Sequence, residues 1–123
     1  MDKLKLEDLV IYQLATEIGE HVWMMVSKWE YFPKTTVGKQ FVEAADSISA
    51  NIAEGYGHYF YKERKAFCYY GRGSLMETKS WAYKALKRAL IEQEEYDTVI
   101  EKLQVLHFKL NGYMKTLKSA STP

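Results

Sequence analysis

The stretch Ser47-Ile48-Ser49-Ala50-Asn51-Ile52-Ala53-Glu54-Gly55 decides how the rest of the chain is read. Together with the residues before it, Val37, Phe41, Ala44, Ala45, Ile48 and Ile52 fall on one face of a helix. Ser47, Asn51 and Glu54 follow at i, i+4 and i+7 and form a polar seam beside that face. Polar groups carried into a helix contact are costly unless something satisfies them. The seam therefore implies a neighbour: another helix, a partner chain or a ligand.

Working outward, three more helical stretches share the same apolar period. The first spans about 6–29, with Ile11, Leu14, Ala15, Ile18, Val22, Met25, Val26 and Trp29 on one face. Phe32-Pro33-Lys34 is expected to end it, and Thr35 or Thr36 to cap a second helix over about 36–56. Gly55 and Gly57 read as its stop. The third helix is placed at about 62–91, with a core face of Phe67, Gly71, Ser74, Leu75, Thr78, Ala82, Ala85 and Ala89. Small residues there allow a neighbouring helix to approach closely, which would offset the cost of Gly71 and Gly73 inside a helix. After a polar turn at Glu92-Gln93-Glu94-Glu95, the fourth helix covers about 96–118. Tyr96, Val99, Ile100, Leu103, Leu106, Leu110, Tyr113, Met114 and Leu117 recur along it at threes and fours. Lys109, Lys115 and Lys118 suit the negative end of its dipole, and the tail Ser119–Pro123 is expected to fray. Four amphipathic helices with short loops and no strand-like alternation imply an all-α, antiparallel up-down-up-down four-helix bundle, one domain over 1–123.

The formal charge of +1 hides an uneven distribution. Residues 1–61 carry five lysines against nine acids, whereas residues 62–90 carry eight basic residues against Glu63 and Glu77. A single cysteine, Cys68, excludes an internal disulfide framework and suits a reducing, cytoplasmic setting. The start of the chain lacks the apolar run of a signal peptide, and no stretch approaches the roughly 18 apolar residues of a membrane span.

With these residues in view, the chain resembles the bacterial four-helix-bundle family of rRNA intervening-sequence proteins. The resemblance rests on Ser47–Gly55, on Phe32-Pro33-Lys34 and Gln40 before it, and on Gly73-Ser74-Leu75-x-Glu77 after it. Asp8-Leu9-Val10-Ile11-Tyr12 is similar to that family's opening helix. The resemblance implies a small bundle that assembles into a homopentamer. Some members are encoded within insertions in large-subunit rRNA genes. A related branch serves as accessory proteins of diversity-generating retroelements, engaging reverse transcriptase and nucleic acid. The chain departs from the family pattern at Glu43, where arginine is common, and at Tyr56-Gly57-His58-Tyr59, where a basic residue commonly follows.

The best functional candidate is the basic segment. Lys65, Tyr69, Arg72, Met76, Lys79, Tyr83 and Lys87 occupy one arc of the third helix, opposite its small-residue face. Cations interleaved with aromatics suit phosphates and unpaired bases of RNA or DNA. The same composition suits a subunit or protein-partner contact, or a solvated face with long stems lying over tyrosines. The seam of Ser47, Asn51 and Glu54 reads first as a register-setting contact and second as a ligand site. Leu9, Tyr12 and Trp23, with Val105 and Phe108, lie off the core faces of their helices and suggest subunit contacts.

Catalytic and metal chemistry find little footing. The residues three before His21, His58 and His107 are Ile18, Gly55 and Gln104, so the Glu-x-x-His pairs of a di-iron bundle are absent, and no zinc set stands out. Gly71-Arg-Gly-Ser74 lacks phosphate-loop spacing, and Cys68 at the edge of a core arc reads as inert. No metal, cofactor or enzymatic activity is expected. The leading reading is a non-enzymatic homo-oligomeric scaffold or adaptor whose basic face contacts RNA, DNA or a nucleic-acid enzyme. An interaction module with no nucleic-acid role comes second, and a small-molecule-binding bundle using the seam comes third.

Overall fold

The computed structural model describes residues 5–120, with side chains as far as residue 117. Four helices carry the chain: α1 (Val10–Val26), α2 (Lys39–Tyr56), α3 (Tyr61–Lys87) and α4 (Gln93–Ala120). Each packs on the next through a short connection, and α4 returns to α1, closing an all-α up-down-up-down bundle. Ile18 and Val22 of α1, Phe41, Ile48 and Ile52 of α2, Leu75 of α3, and Leu103, Leu106 and Leu110 of α4 meet along the axis with almost no exposure. Burying each leucine or isoleucine contributes roughly 1.5–3 kcal/mol, which is what draws the four apolar stripes together.

The contact between α2 and α3 is the most extensive in the bundle, and that between α1 and α4 the least. Close approach explains the first. A Cβ added at Gly55 would stand 2.8 Å from the Phe67 Cβ and 3.0 Å from the Arg64 carbonyl oxygen. Gly71 meets the Ile48 carbonyl oxygen at an ordinary 3.5 Å from its built Cβ position, and Ala82 and Ala85 are fully buried. The thinner α1–α4 seam is crossed by an ion pair, Lys102 Nζ to Glu17 at 3.0 Å.

Several boundaries differ from the sequence reading. Pro33 does not stop a helix; it lies in a short helical turn, Tyr31–Pro33, that leads through a π-helical turn, Lys34–Gly38, directly into α2. Proline is accommodated there because first-turn N–H groups need no helical acceptor. Thr35 and Thr36 consequently do not cap: the Thr35 hydroxyl donates to the Tyr31 carbonyl (2.9 Å) and the Thr36 hydroxyl to the Phe32 carbonyl (2.7 Å). Gly55 is not a stop signal but a helical residue kept small for α3, and Gly57 closes α2 with an ordinary negative φ of −75°. α1 ends at Val26, although Trp29 still stacks near Phe41 (6.3 Å).

At the end of the bundle where α1 also finishes, α3 stops at Lys87 and Ala89 is exposed outside it, not part of its core face. Ala89 takes a left-handed φ of 59°, with Leu90 N–H donating to the Ala85 carbonyl (2.8 Å) and Ala89 N–H to the Leu86 carbonyl (3.0 Å). This is the Schellman closure, with alanine where glycine is usual. The supposed polar turn before the fourth helix is largely its first turn, in which the Glu95 carboxylate accepts the Glu92 N–H (3.0 Å). The helix runs on to Ala120; the rest of the expected frayed tail, 121–123, lies outside the described residues, as do residues 1–4.

Two substitutions test this geometry by urea denaturation. Gly55→Ala should lose about 1–2 kcal/mol net, because overpacking against Arg64 and Phe67 outweighs the gain in helix propensity. Ala89→Gly should gain about 1 kcal/mol by relieving the left-handed conformation.

Candidate functional site

With Cys68, Gly71, Leu75, Thr78, Ala82 and Ala85 buried, the opposite side of α3 is left to solvent and to the flank of α4. Tyr69, Met76 and Tyr83 stand about half exposed there, at 47%, 49% and 52%. The Arg72 guanidinium lies 4.8 Å from the centre of the Tyr69 ring and donates through Nη1 to Asn111 Oδ1 of α4 at 2.7 Å. The Lys65 ammonium is 6.0 Å from the Tyr69 ring, and that of Lys87 is 5.9 Å from the Tyr83 ring. Tyr83 meets Tyr96 of α4 edge-on at 6.5 Å. Lys79 is half-buried between them on the same arc.

Between the start of α3 and the C-terminal part of α4 lies a cleft of ≈ 350 Å³, lined by Lys65, Tyr69, Arg72, Asn111, Met114 and Lys115. Three of these six carry positive charge and none carries negative charge. Among the described residues, Lys65, Arg72, Lys79, Lys87 and Lys115 form no ion pair with a carboxylate. Their charge therefore remains available to an anion. Asn111, Met114 and Lys115 join this face from α4, beyond the arc that the spacing on α3 defines. Asn111 and Lys115 sit at i and i+4 on the α3 side of α4, and Lys115 is explained equally well by the helix dipole when α4 is read alone.

The polar seam resolves into a contact between α2 and α3. Ser74 Oγ lies 2.9 Å from Ser47 Oγ, and the Asn51 amide donates to the Ser47 carbonyl (2.8 Å) and to Ser47 Oγ (3.1 Å). Thr78, wholly buried, donates to the Ser74 carbonyl (2.8 Å). Glu54 takes no part: its side chain is 61% exposed and lies 3.7 Å from His58. One turn beyond Asn51, the seam has already turned to solvent.

The apolar surplus is also redistributed. Leu9 and Tyr12 pack against the core. A short 3-10 turn, Leu6–Asp8, ends in an extended Leu9, so a helical wheel drawn from Leu6 misplaces it. Trp23 is exposed and lines a groove between α1 and α2, whereas Val105 lines a different one between α1 and α4. Phe108 is 79% exposed on α4. The five residues do not form one patch.

Comparison with known proteins gives this bundle its relatives. The model of the 23S rRNA-intervening sequence protein family matches residues 7–112. The chain belongs to that family. A crystal structure of a protein of unknown function from the S23 ribosomal protein family of Bacteroides thetaiotaomicron shares its fold, with a TM-score of 0.77 at 17% identity over 85% of this chain and 98% of that one. No curated protein matches the chain. The family match contains the whole Ser47–Asn51–Ser74 seam and most of the α3–α4 face, while Met114 and Lys115 of the cleft lie just past it.

Within this family member, other reactive groups are held quiet. Burial pushes the Cys68 thiol up to about 11, so no thiolate forms near neutrality. Among the described residues no three of His, Cys, Asp or Glu come together as a metal set, and no helix is long and apolar enough to cross a membrane. His21 Nδ1 is buried without a hydrogen-bond partner beside Glu17, Glu95 and Lys102. Burial first, and the Lys102 ammonium second, lower its pKa below the ordinary 6.5.

The seam predicts a measurable coupling. In a double-mutant cycle of Ser47→Ala and Ser74→Ala, urea denaturation should give an interaction of about 0.5–1.5 kcal/mol, whereas Glu54→Gln should stay within about 0.5 kcal/mol. His21 predicts the sign of a pH effect. Its folded pKa is depressed, so its contribution is present above the unfolded value of about 6.5 and is lost as pH falls through the folded one. The drop in denaturation midpoint between pH 7.5 and 5.5 should therefore be smaller in His21→Gln than in the unaltered protein.

Proposed function

We propose that this protein is a non-enzymatic, homo-oligomeric helical scaffold that acts in the cytoplasm and contacts nucleic acid through the α3–α4 face. The observation that carries this reading is the line of cations unpaired with carboxylates, interleaved with half-exposed rings, from Lys65 to Lys87. Phosphates would meet Lys65, Arg72, Lys79, Lys87 and Lys115, and unstacked bases would meet Tyr69 and Tyr83. Membership of a family named for rRNA intervening sequences supports the same partner class. A pentameric state, and kinship with retroelement accessory proteins, are supported by the resemblance of the Ser47–Gly55 and Gly73–Glu77 blocks alone. Exposed Trp23 and Phe108 offer apolar area for contact between copies.

A second reading is favoured by the composition of the same face: tyrosine, methionine and arginine together also suit a protein interface. Titration of labelled single-stranded RNA and DNA at several salt concentrations separates the two. Nucleic-acid contact predicts affinity falling with salt at a logarithmic slope of about −2 to −3, as for three or four phosphates on a single strand. Arg72→Glu with Lys79→Glu should weaken binding at least about tenfold while the assembly persists. Absence of binding at low salt would overturn the nucleic-acid reading. Light scattering tests the assembly: a pentamer weighs five times the 14.4 kDa chain, and a monomer at micromolar concentration contradicts it.

A further inference from the structure

We infer that the α3–α4 cleft is a binding site for a phosphomonoester, either the terminal phosphate of a nucleic-acid strand or that of a free mononucleotide. The inference rests on the reading of the α3–α4 face as a nucleic-acid contact and narrows it. Charge is the first ground. Lys65, Arg72 and Lys115 converge on one cleft with no carboxylate among its lining residues. An internal phosphodiester brings one negative charge to such a site, whereas a phosphomonoester brings nearly two near neutral pH. Three cations lining one cleft exceed the single charge of an internal linkage, and what sets the cleft apart from the line that Lys79 and Lys87 continue along α3 is the added Lys115 of α4.

Preorganisation is the second ground. Arg72 is held from two sides, by the Tyr69 ring at 4.8 Å and by Asn111 Oδ1 at 2.7 Å. A guanidinium has five N–H donors, and Arg72 makes no other hydrogen bond among the described residues. Its remaining donors form the planar fork that matches phosphate oxygens, and its side chain is ordered before a ligand arrives. The third ground is size and lining. A volume of ≈ 350 Å³ lies at the lower end of the range for small-ligand sites, roughly 300–1,000 Å³, and admits no duplex. The half-exposed Tyr69 ring adds apolar surface against which a nucleoside can rest, over a floor closed by buried Met114.

The test uses the full chain and one oligonucleotide sequence made with a 5′-phosphate, with a 3′-phosphate, and with hydroxyl ends, together with AMP as free mononucleotide. A phosphate-ended strand should bind at least about fivefold more tightly than the hydroxyl-ended strand. That preference should vanish in Arg72→Gln and, independently, in Lys115→Gln on the other helix, with helix content by circular dichroism unchanged. Competition by AMP for the phosphate-ended strand assigns the cleft to free mononucleotides as well; a preference for phosphate ends without AMP competition assigns it to strand termini. Equal affinity for both ends, with no effect of AMP, overturns the inference and leaves the broader nucleic-acid reading standing. Failure of every oligonucleotide and of AMP to bind overturns both.

Discussion

The bundle is organised by how closely α3 can lie against α2. Gly55 leaves room for the Arg64 carbonyl and the Phe67 side chain, Gly71 faces the Ile48 carbonyl, and Ala82 and Ala85 keep the rest of the face small. At this separation Ser47 and Ser74 reach each other, and Asn51 folds back onto Ser47. The polar contact fixes the register of the two helices, because sliding by one residue would strand both hydroxyls in a half-buried seam. Leu103, Leu106 and Leu110 of α4 then complete the core against α1 and α2 as well as α3.

A consequence of this arrangement is that α3 spends its small residues inward and keeps its long ones outward. Every bulky or charged side chain at Lys65, Tyr69, Arg72, Met76, Lys79, Tyr83 and Lys87 is forced onto one strip. Because α4 flanks that strip with Asn111 and Lys115 and contributes no carboxylate to the cleft, the strip remains electropositive even though the chain as a whole is nearly neutral. Glu63 and Glu77 of α3 do not line the cleft, Glu17 is engaged with Lys102, and Glu54 sits at the outer edge of α2 beside His58. The electropositive strip is thus a by-product of the packing that the small residues require.

Much of the fold was legible because it depends on period alone. The apolar stripes of α1, α2 and α4 need only 3.6-residue spacing to be found, and the polar seam by itself requires a neighbour, which is Ser74. What escaped depends on local backbone geometry or on a second helix. Pro33 reads as a terminator until the chain is seen to enter α2 through a π-helical turn, and Gly55 reads as a stop until Arg64 and Phe67 are placed against it. Leu9 reads as an outward apolar residue because a helical wheel assumes a helix where a 3-10 turn stands. The strip on α3 was legible from its spacing; the cleft was not, since Asn111 and Lys115 acquire meaning only when α4 is laid beside Arg72. Glu54 falls in with the seam only by spacing, which continues past the point where α2 turns to solvent.

The central claim is that the strip on α3 is the surface that meets nucleic acid. Hydroxyl-radical footprinting measures it directly, since the strip presents oxidisable, half-exposed Tyr69, Met76 and Tyr83, while Trp23 reports on the groove between α1 and α2. With single-stranded RNA bound, oxidation should fall at Tyr69, Met76 and Tyr83 and stay unchanged at Trp23. Protection of Trp23 with the strip unchanged, or protection of the strip that grows with protein concentration in the absence of RNA, would contradict the account.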